Sequence, residues 1–98
     1  MFLIIDAKVT NRDAYVETAK QWTPAAHTAE RHGGQLLVCG DQVEVIAGDW
    51  KPKNLLIVQF PDAESMRSWV GSSDYQEMVE VVSQSAEMST VAVSTHSE

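Results

Sequence analysis

The segment FLIIDAKV at residues 2–9 is rich in apolar side chains on both of its parities. Leu3, Ile5, Ala7 and Val9 lie on one parity, and Phe2, Ile4, Asp6 and Lys8 on the other. A strand with one wet face alternates apolar and polar, because successive side chains point to opposite sides of the sheet. Leu36–Val38 and Leu55–Val58 repeat the pattern, with apolar side chains offered to both faces. A sheet built from such strands has to cover both of its surfaces. The helical segments of so short a chain are enough for one.

Those segments show the spacing of amphipathic helices. Residues 12–32 carry Tyr15, Ala19, Trp22, Ala26 and Ala29 at intervals of four and three, the period of a helix face. Thr10 or Asn11 can cap this helix. Pro24 interrupts it, which predicts a kink near Lys20 to Thr23, or else a second helix capped by Thr23 with Pro24 as its first residue. His32-Gly33-Gly34 closes the segment, since glycine just past a helix end takes the left-handed conformation readily. A strand follows at Gln35–Cys39. Gly40-Asp41 reads as a tight hairpin turn into residues 42–48, QVEVIAG, which alternate like a strand. After a loop at Asp49–Asn54 comes an apolar strand, Leu55–Phe60. Pro61-Asp62 opens a second helix with Ala63, Met66 and Trp69 inward, stopping at Gly71. Ser72 and Ser73 are both candidate caps for the next helix, and Ser73 through Gln76 fits a capping box. That helix carries Tyr75, Met78, Val79 and Val82 on one face. Residues 88–95 form a last strand, and His96-Ser97-Glu98 a loose tail.

The order is β-α-β-β-α-β, with the second helical segment broken in two. It predicts an α+β fold, the ferredoxin-like plait, in which a four-stranded antiparallel sheet carries its helices on one face. With no linker, repeat or low-complexity tract, residues 1–98 read as a single domain. The second sheet face is then bare and apolar. At roughly 25 cal/mol per Å² of apolar area, leaving several such side chains wet costs several kcal/mol. A second copy of the same sheet is the simplest cover, so a two-fold homodimer is expected.

Charge narrows the partners. Fourteen Asp and Glu against seven Lys and Arg give a net charge of −7. No basic run is present to track phosphates, which argues against nucleic acid, and the acidity argues against an anionic membrane surface. No apolar run approaches the roughly 20 residues that span a bilayer, and the apolar start is too short for a secretory signal. Cys39 is the lone cysteine, so no intramolecular disulfide forms. A cytoplasmic protein is expected.

Tyr15, His32-Gly33-Gly34, Gly40, Glu44, Gly48-Asp49-Trp50, Pro52, Phe60-Pro61 and Ser72-x-x-Tyr75 follow one another in order. Between about Val9 and Val93 the chain resembles the domain-of-unknown-function family 1330, in the dimeric α+β barrel superfamily. The resemblance implies a ferredoxin-like protomer whose sheet meets a partner's in a barrel, with helices outside. It implies no activity. Relatives at superfamily level include cofactor-independent monooxygenases, muconolactone-type isomerases, haem-binding chlorite dismutases and stress-responsive barrels, but one fold hosts many chemistries. Three positions depart from the family pattern. Cys39 stands where a basic residue is usual before the turn glycine, which puts an anion-binding role of that turn in doubt. Ser73 stands where proline is frequent, and Val70-Gly71 where an aromatic is expected.

The residues that can carry chemistry are few. His32, beside the glycine pair, is a candidate general base at a pocket mouth, or an imidazole favoured by the negative end of its helix. Trp22 and Trp69 fall on inward helix faces, as core or as ligand-binding aromatics with Tyr75. Trp50, on a loop after Gly-Asp, could close a ligand cavity or pack at a dimer seam. Asp6 and Lys8 are either pocket groups between sheet and helix or ordinary polar positions near a rim. Cys39 is expected to be a buried small hydrophobe. His27 with Glu30 and Arg31 reads as a solvated helix face. His27 and His32 are five apart, about 140° around a helix, and cannot share a ligand direction. There is no HExxH, cysteine pair, phosphate loop or dinucleotide fingerprint, so neither metal nor cofactor is expected.

Two functions remain. One is a small-molecule site between sheet and helices, lined by Trp22, His32, Trp50, Trp69 and Tyr75. Such a site would bind an aromatic or polyketide-like compound, or transform it by cofactor-independent acid–base or oxygenase-type chemistry. The other is a non-catalytic dimeric stress or accessory module. A pocket of about 300 Å³ or more would favour the first.

Overall fold

The computed structural model describes residues 1–94; the tail at 96–98 lies outside the described residues. In chain order the elements are β1 (Phe2–Val9), α1 (Arg12–His27), a 3-10 helix (Thr28–His32), β2 (Gln35–Gly40), β3 (Leu55–Gln59), α2 (Ala63–Val70), α3 (Ser73–Ser83) and β4 (Ala86–Val93). The sheet runs β2-β3-β1-β4, with every neighbouring pair antiparallel. This is the ferredoxin-like plait.

Parity decides which surface the helices take. Leu3, Ile5 and Ala7 of β1 are buried, with Leu56 and Val58 of β3. The register sets Leu3 against Val58 and Ile5 against Leu56, so these side chains share the helix-covered face. Over them pack Trp22, Ala26 and Ala29, then Phe60, Met66, Trp69, Met78 and Val82, in one apolar core. The buried polar side chains are paired where the helices meet the sheet. Thr18 and Ser85 join by their hydroxyls at 2.8 Å. The Tyr75 and Thr90 hydroxyls join at 3.0 Å.

Side-chain caps start each of the three α-helices. Asn11 Oδ1 accepts the Ala14 N–H, Asp62 Oδ1 the Ser65 N–H at 2.7 Å, and Ser72 Oγ the Tyr75 N–H. Ser72 rather than Ser73 therefore holds the cap position, and the expected box with Gln76 does not form. Pro24 sits inside α1 rather than opening a new helix. The chain tightens to 3-10 geometry at Thr28, one turn beyond the proline. Gly33 closes that turn at φ 84°, in the left-handed region that glycine enters without strain. A Cβ on Gly34 would stand 2.7 Å from the Phe60 ring, so the second glycine is a close approach of backbone to core.

Two expectations fail at the hairpin. Gly40 is not a turn residue: it belongs to β2 and pairs with Leu55. Residues 42–48 form no strand, and the connection is a loop over residues 41–54. Pairing β2 with 55–59 buries Leu56 and Val58, whereas the alternating side chains of 42–48 find no surface, and Ile46 is 85% exposed. Alternation is a strand signal only where a face is available to bury.

The opposite face of the sheet carries no helix. Successive registers place Val38, Ile57, Ile4 and Val91 in one apolar row across all four strands. An irregularity between Leu36 and Val38 resets the edge strand. Leu37, Val38, Val91 and Val93 remain exposed. Toward one end the face turns polar, where Asp6 opposes Ser89 and Lys8 opposes Glu87.

Candidate functional site

Two cavities adjoin at one end of the sheet. The inner one is a chamber of about 160 Å³ between α1 and the β2–β3 edge, walled by Tyr15, Ala19, Trp22, Cys39, Leu55 and Leu56 among others. It exists because α1 crosses the sheet without covering the outer strand. The same gap explains Cys39. Its register partner Leu56 faces the helices, yet the Cys39 thiol is exposed rather than buried as expected. The Thr23 hydroxyl lies 3.1 Å from its sulfur.

Aromatic and amide groups fix the chamber wall. Tyr15 and Trp22, seven apart on α1, meet edge to face with centroids 5.3 Å apart. The Tyr15 hydroxyl donates to Asn54 Oδ1 at 3.3 Å. Asn54 Nδ2 donates in turn to the Ala7 carbonyl, and the Ala7 N–H to the Asn54 carbonyl at 3.1 Å. Asn54 is thereby buried and held from both sides. Trp22 is different. Its Nε1 is the one buried side-chain polar atom among the described residues with no hydrogen-bond partner.

The outer cavity is a cleft of about 1000 Å³ between the end of β1, the start of α1 and the 41–54 loop. It shares Tyr15, Asp41 and Asn54 with the chamber. Trp50 is its aromatic rim: 59% exposed, it donates from Nε1 to Asp6 Oδ2 at 2.9 Å. That bond lays the loop against the end of the uncovered face. Asp6 and Lys8 are thus rim groups, the reading that set them away from the helices. Lys8, Arg12, Lys51 and Lys53 line the cleft together with Asp6, Asp41 and Asp49.

The five site residues expected from sequence do not come together. Trp22 lines the chamber and Trp50 the cleft. Trp69 and Tyr75 line neither; they are core, with ring centroids 5.0 Å apart edge to face, and Phe60 lies tilted against Trp69 at 5.9 Å. Trp69 Nε1 donates to the Thr28 hydroxyl at 3.0 Å. His32 lies in the helix layer, its Nδ1 2.9 Å from the Ser68 hydroxyl and its Nε2 3.5 Å from Asp74 Oδ2. Arg31 holds the other Asp74 oxygen at 3.1 Å. This cluster ties the 3-10 helix to α2 and α3. Sequence reasoning missed Asn54 and gave Tyr15 no role at a site. Tyr15 carried a signal, being one turn and three residues from Trp22 on the same face. Asn54 carried none, since it reads as the last polar residue of a loop. Among the described residues no three His, Cys, Asp or Glu side chains gather as a metal-ligand group, and no helix is long and apolar enough to cross a membrane.

The fold defines the class, an α+β ferredoxin-like plait with a four-stranded antiparallel sheet. The chain belongs to the domain of unknown function family DUF1330, whose model matches residues 1–96. No curated protein matches it. Among solved structures it is similar to RPA0582, a protein of unknown function from Rhodopseudomonas palustris, at 15% identity and TM-score 0.58, over 96% of this chain and 82% of that one. It is also similar to an antibiotic biosynthesis monooxygenase at 9% identity and TM-score 0.60, over 97% and 98% of the two chains. At those identities the likeness is one of fold.

Proposed function

We propose that this protein binds a small molecule of about one aromatic ring in the chamber between α1 and the sheet, in contact with Trp22. The observation that carries the reading is the chamber itself, walled by the edge-to-face pair of Tyr15 and Trp22 on α1. Its volume of about 160 Å³ is of the order of one ring, and it opens to solvent, so a ligand can enter. The adjoining cleft exceeds the roughly 300 Å³ typical of ligand sites and gives room for substituents. The chamber lining includes Tyr15, Cys39 and Asp41 and not His32, so any acid–base chemistry there would run through those three side chains. An antibiotic biosynthesis monooxygenase on the same fold supports the small-molecule class without naming a substrate.

The second part of the reading is assembly. The apolar row Ile4, Ile57, Val38 and Val91, with Phe2 and Val93 beside it, supports a homodimer in which two uncovered sheet faces meet. A reducing compartment, the cytoplasm, fits the exposed lone thiol of Cys39.

Titration with small aromatics while following the tryptophan indole resonances tests the site. Binding should shift the Trp22 signal, W22F should weaken affinity about threefold through the smaller ring, and H32A should leave it unchanged. An unmoved Trp22 signal across the series, or equal affinity in W22F, overturns the reading.

A further inference from the structure

The cations of this acidic chain are unevenly placed. Four of its seven Lys and Arg residues, Lys8, Arg12, Lys51 and Lys53, line the outer cleft. Three carboxylates, Asp6, Asp41 and Asp49, share the lining. A chain that carries twice as many acids as bases could neutralise those four locally. Among the described residues it does not: none of the four lies within 4.0 Å of a carboxylate, and the ion pairs present are all in the helix layer. Even Asp6, the nearest acid on β1 to Lys8, turns its carboxylate to the Trp50 indole instead. Glu87 opposes Lys8 across the strands without reaching it.

The cleft therefore holds a positive excess in a molecule of net charge −7. Resting on the chamber reading, we propose that the ligand is an aromatic monoanion, its ring in the chamber and its carboxylate in the cleft among Lys8, Arg12, Lys51 and Lys53. The two cavities share the Tyr15–Asn54 wall, so a ring in one and an acid group in the other can belong to one molecule. Four cations against three carboxylates match a single negative charge. Inorganic phosphate carries charge without a ring, so it can meet the cleft but not the chamber. The exposed Trp50 ring at the rim adds a face on which the apolar edge of the ligand can rest. Arg12 opens α1 at the edge of the same cleft.

The probes are benzoate, its uncharged isostere benzamide, and inorganic phosphate, titrated into the full chain. Backbone and indole resonances are followed, at about 20 and 300 mM salt. Benzoate should bind about tenfold more tightly than benzamide at low salt. It should move Trp22 together with Lys51 and Lys53, and lose most of that advantage at high salt, where exposed charges are screened. Phosphate should compete weakly or not at all. The exposed double variant K51Q/K53Q should bind benzoate and benzamide within about twofold of each other. Equal affinity of the wild type for benzoate and benzamide, both shifting Trp22, overturns the anion inference and leaves the chamber reading standing. Shifts at Lys51 and Lys53 without Trp22 support an anion site but overturn the bipartite ligand. No response to either aromatic at millimolar concentration overturns both readings.

Discussion

Single side chains at the helix starts carry more of this structure than their exposure suggests. Asp62 is the clearest. The Ser65 backbone N–H, and then the Ser65 hydroxyl, donate to its carboxylate and hold its pKa below the ordinary carboxylate value. A lowered folded-state value means that the carboxylate stabilises the fold above the unfolded pKa of about 3.9, and that this is lost as pH falls through the folded value. D62A should therefore melt a few degrees below the wild type at pH 7, and the gap should shrink toward pH 3. Thermal melts at the two pH values check it, and an undiminished gap at pH 3 would assign the effect to helix propensity. At this scale the sequence was informative about caps and poor about partners. A cap at Thr10 or Asn11, a helix start at Pro61-Asp62 and a serine cap at 72 or 73 were visible, because capping needs only a short polar side chain before a helical stripe. That His32 would meet Ser68 and Asp74, 36 and 42 positions downstream, was not visible, since nothing local records which helices pack together.

Among elements, strands and helices were legible wherever burial follows periodicity, and the 41–54 loop was not. Val43, Val45 and Ala47 alternate as a strand should, but β3 outbids them for the β2 edge by burying side chains on its inner parity. The loop is instead held at Trp50, whose indole reaches the first strand at Asp6. W50F keeps an aromatic ring and removes the donor. It should leave the melting temperature within about two degrees, because the group is exposed and surface changes are worth about ±0.5 kcal/mol. It should also raise amide exchange across residues 41–54. Hydrogen exchange read by mass spectrometry checks this; unchanged protection would mean that the loop is held elsewhere. The inner chamber was half legible: Trp22 stood out as an inward aromatic, but a gap beside an edge strand depends on where α1 crosses, which periodicity does not fix.

For the whole molecule, the two sheet faces set the expectation. One is closed by α1, α2 and α3; the other presents an apolar row. Val91 is 56% exposed there, so in a lone protomer V91D should cost little. Within a face-to-face pair it would bury an unpaired charge, a penalty of several kcal/mol. Sedimentation velocity should show the wild type at twice the chain mass and V91D at one, while the far-UV spectrum is unchanged. A wild type that sediments as a single chain at high concentration would end the dimer reading. Doubly apolar strands made this expectation available from sequence, and the fold class with it. The identity of what fills the chamber was never there, because pocket chemistry is assembled from α1, β2 and the segment before β3, which lie far apart along the chain.

The Asn54 side chain, wedged between the Tyr15 hydroxyl and the backbone of Ala7, has one more effect. It fastens the partition between chamber and cleft to a central strand whose next residue back, Asp6, anchors Trp50 on the far side of the sheet. A shift of Asn54 would thus be carried through adjacent residues of β1 to the Trp50 loop on the opposite side of the sheet.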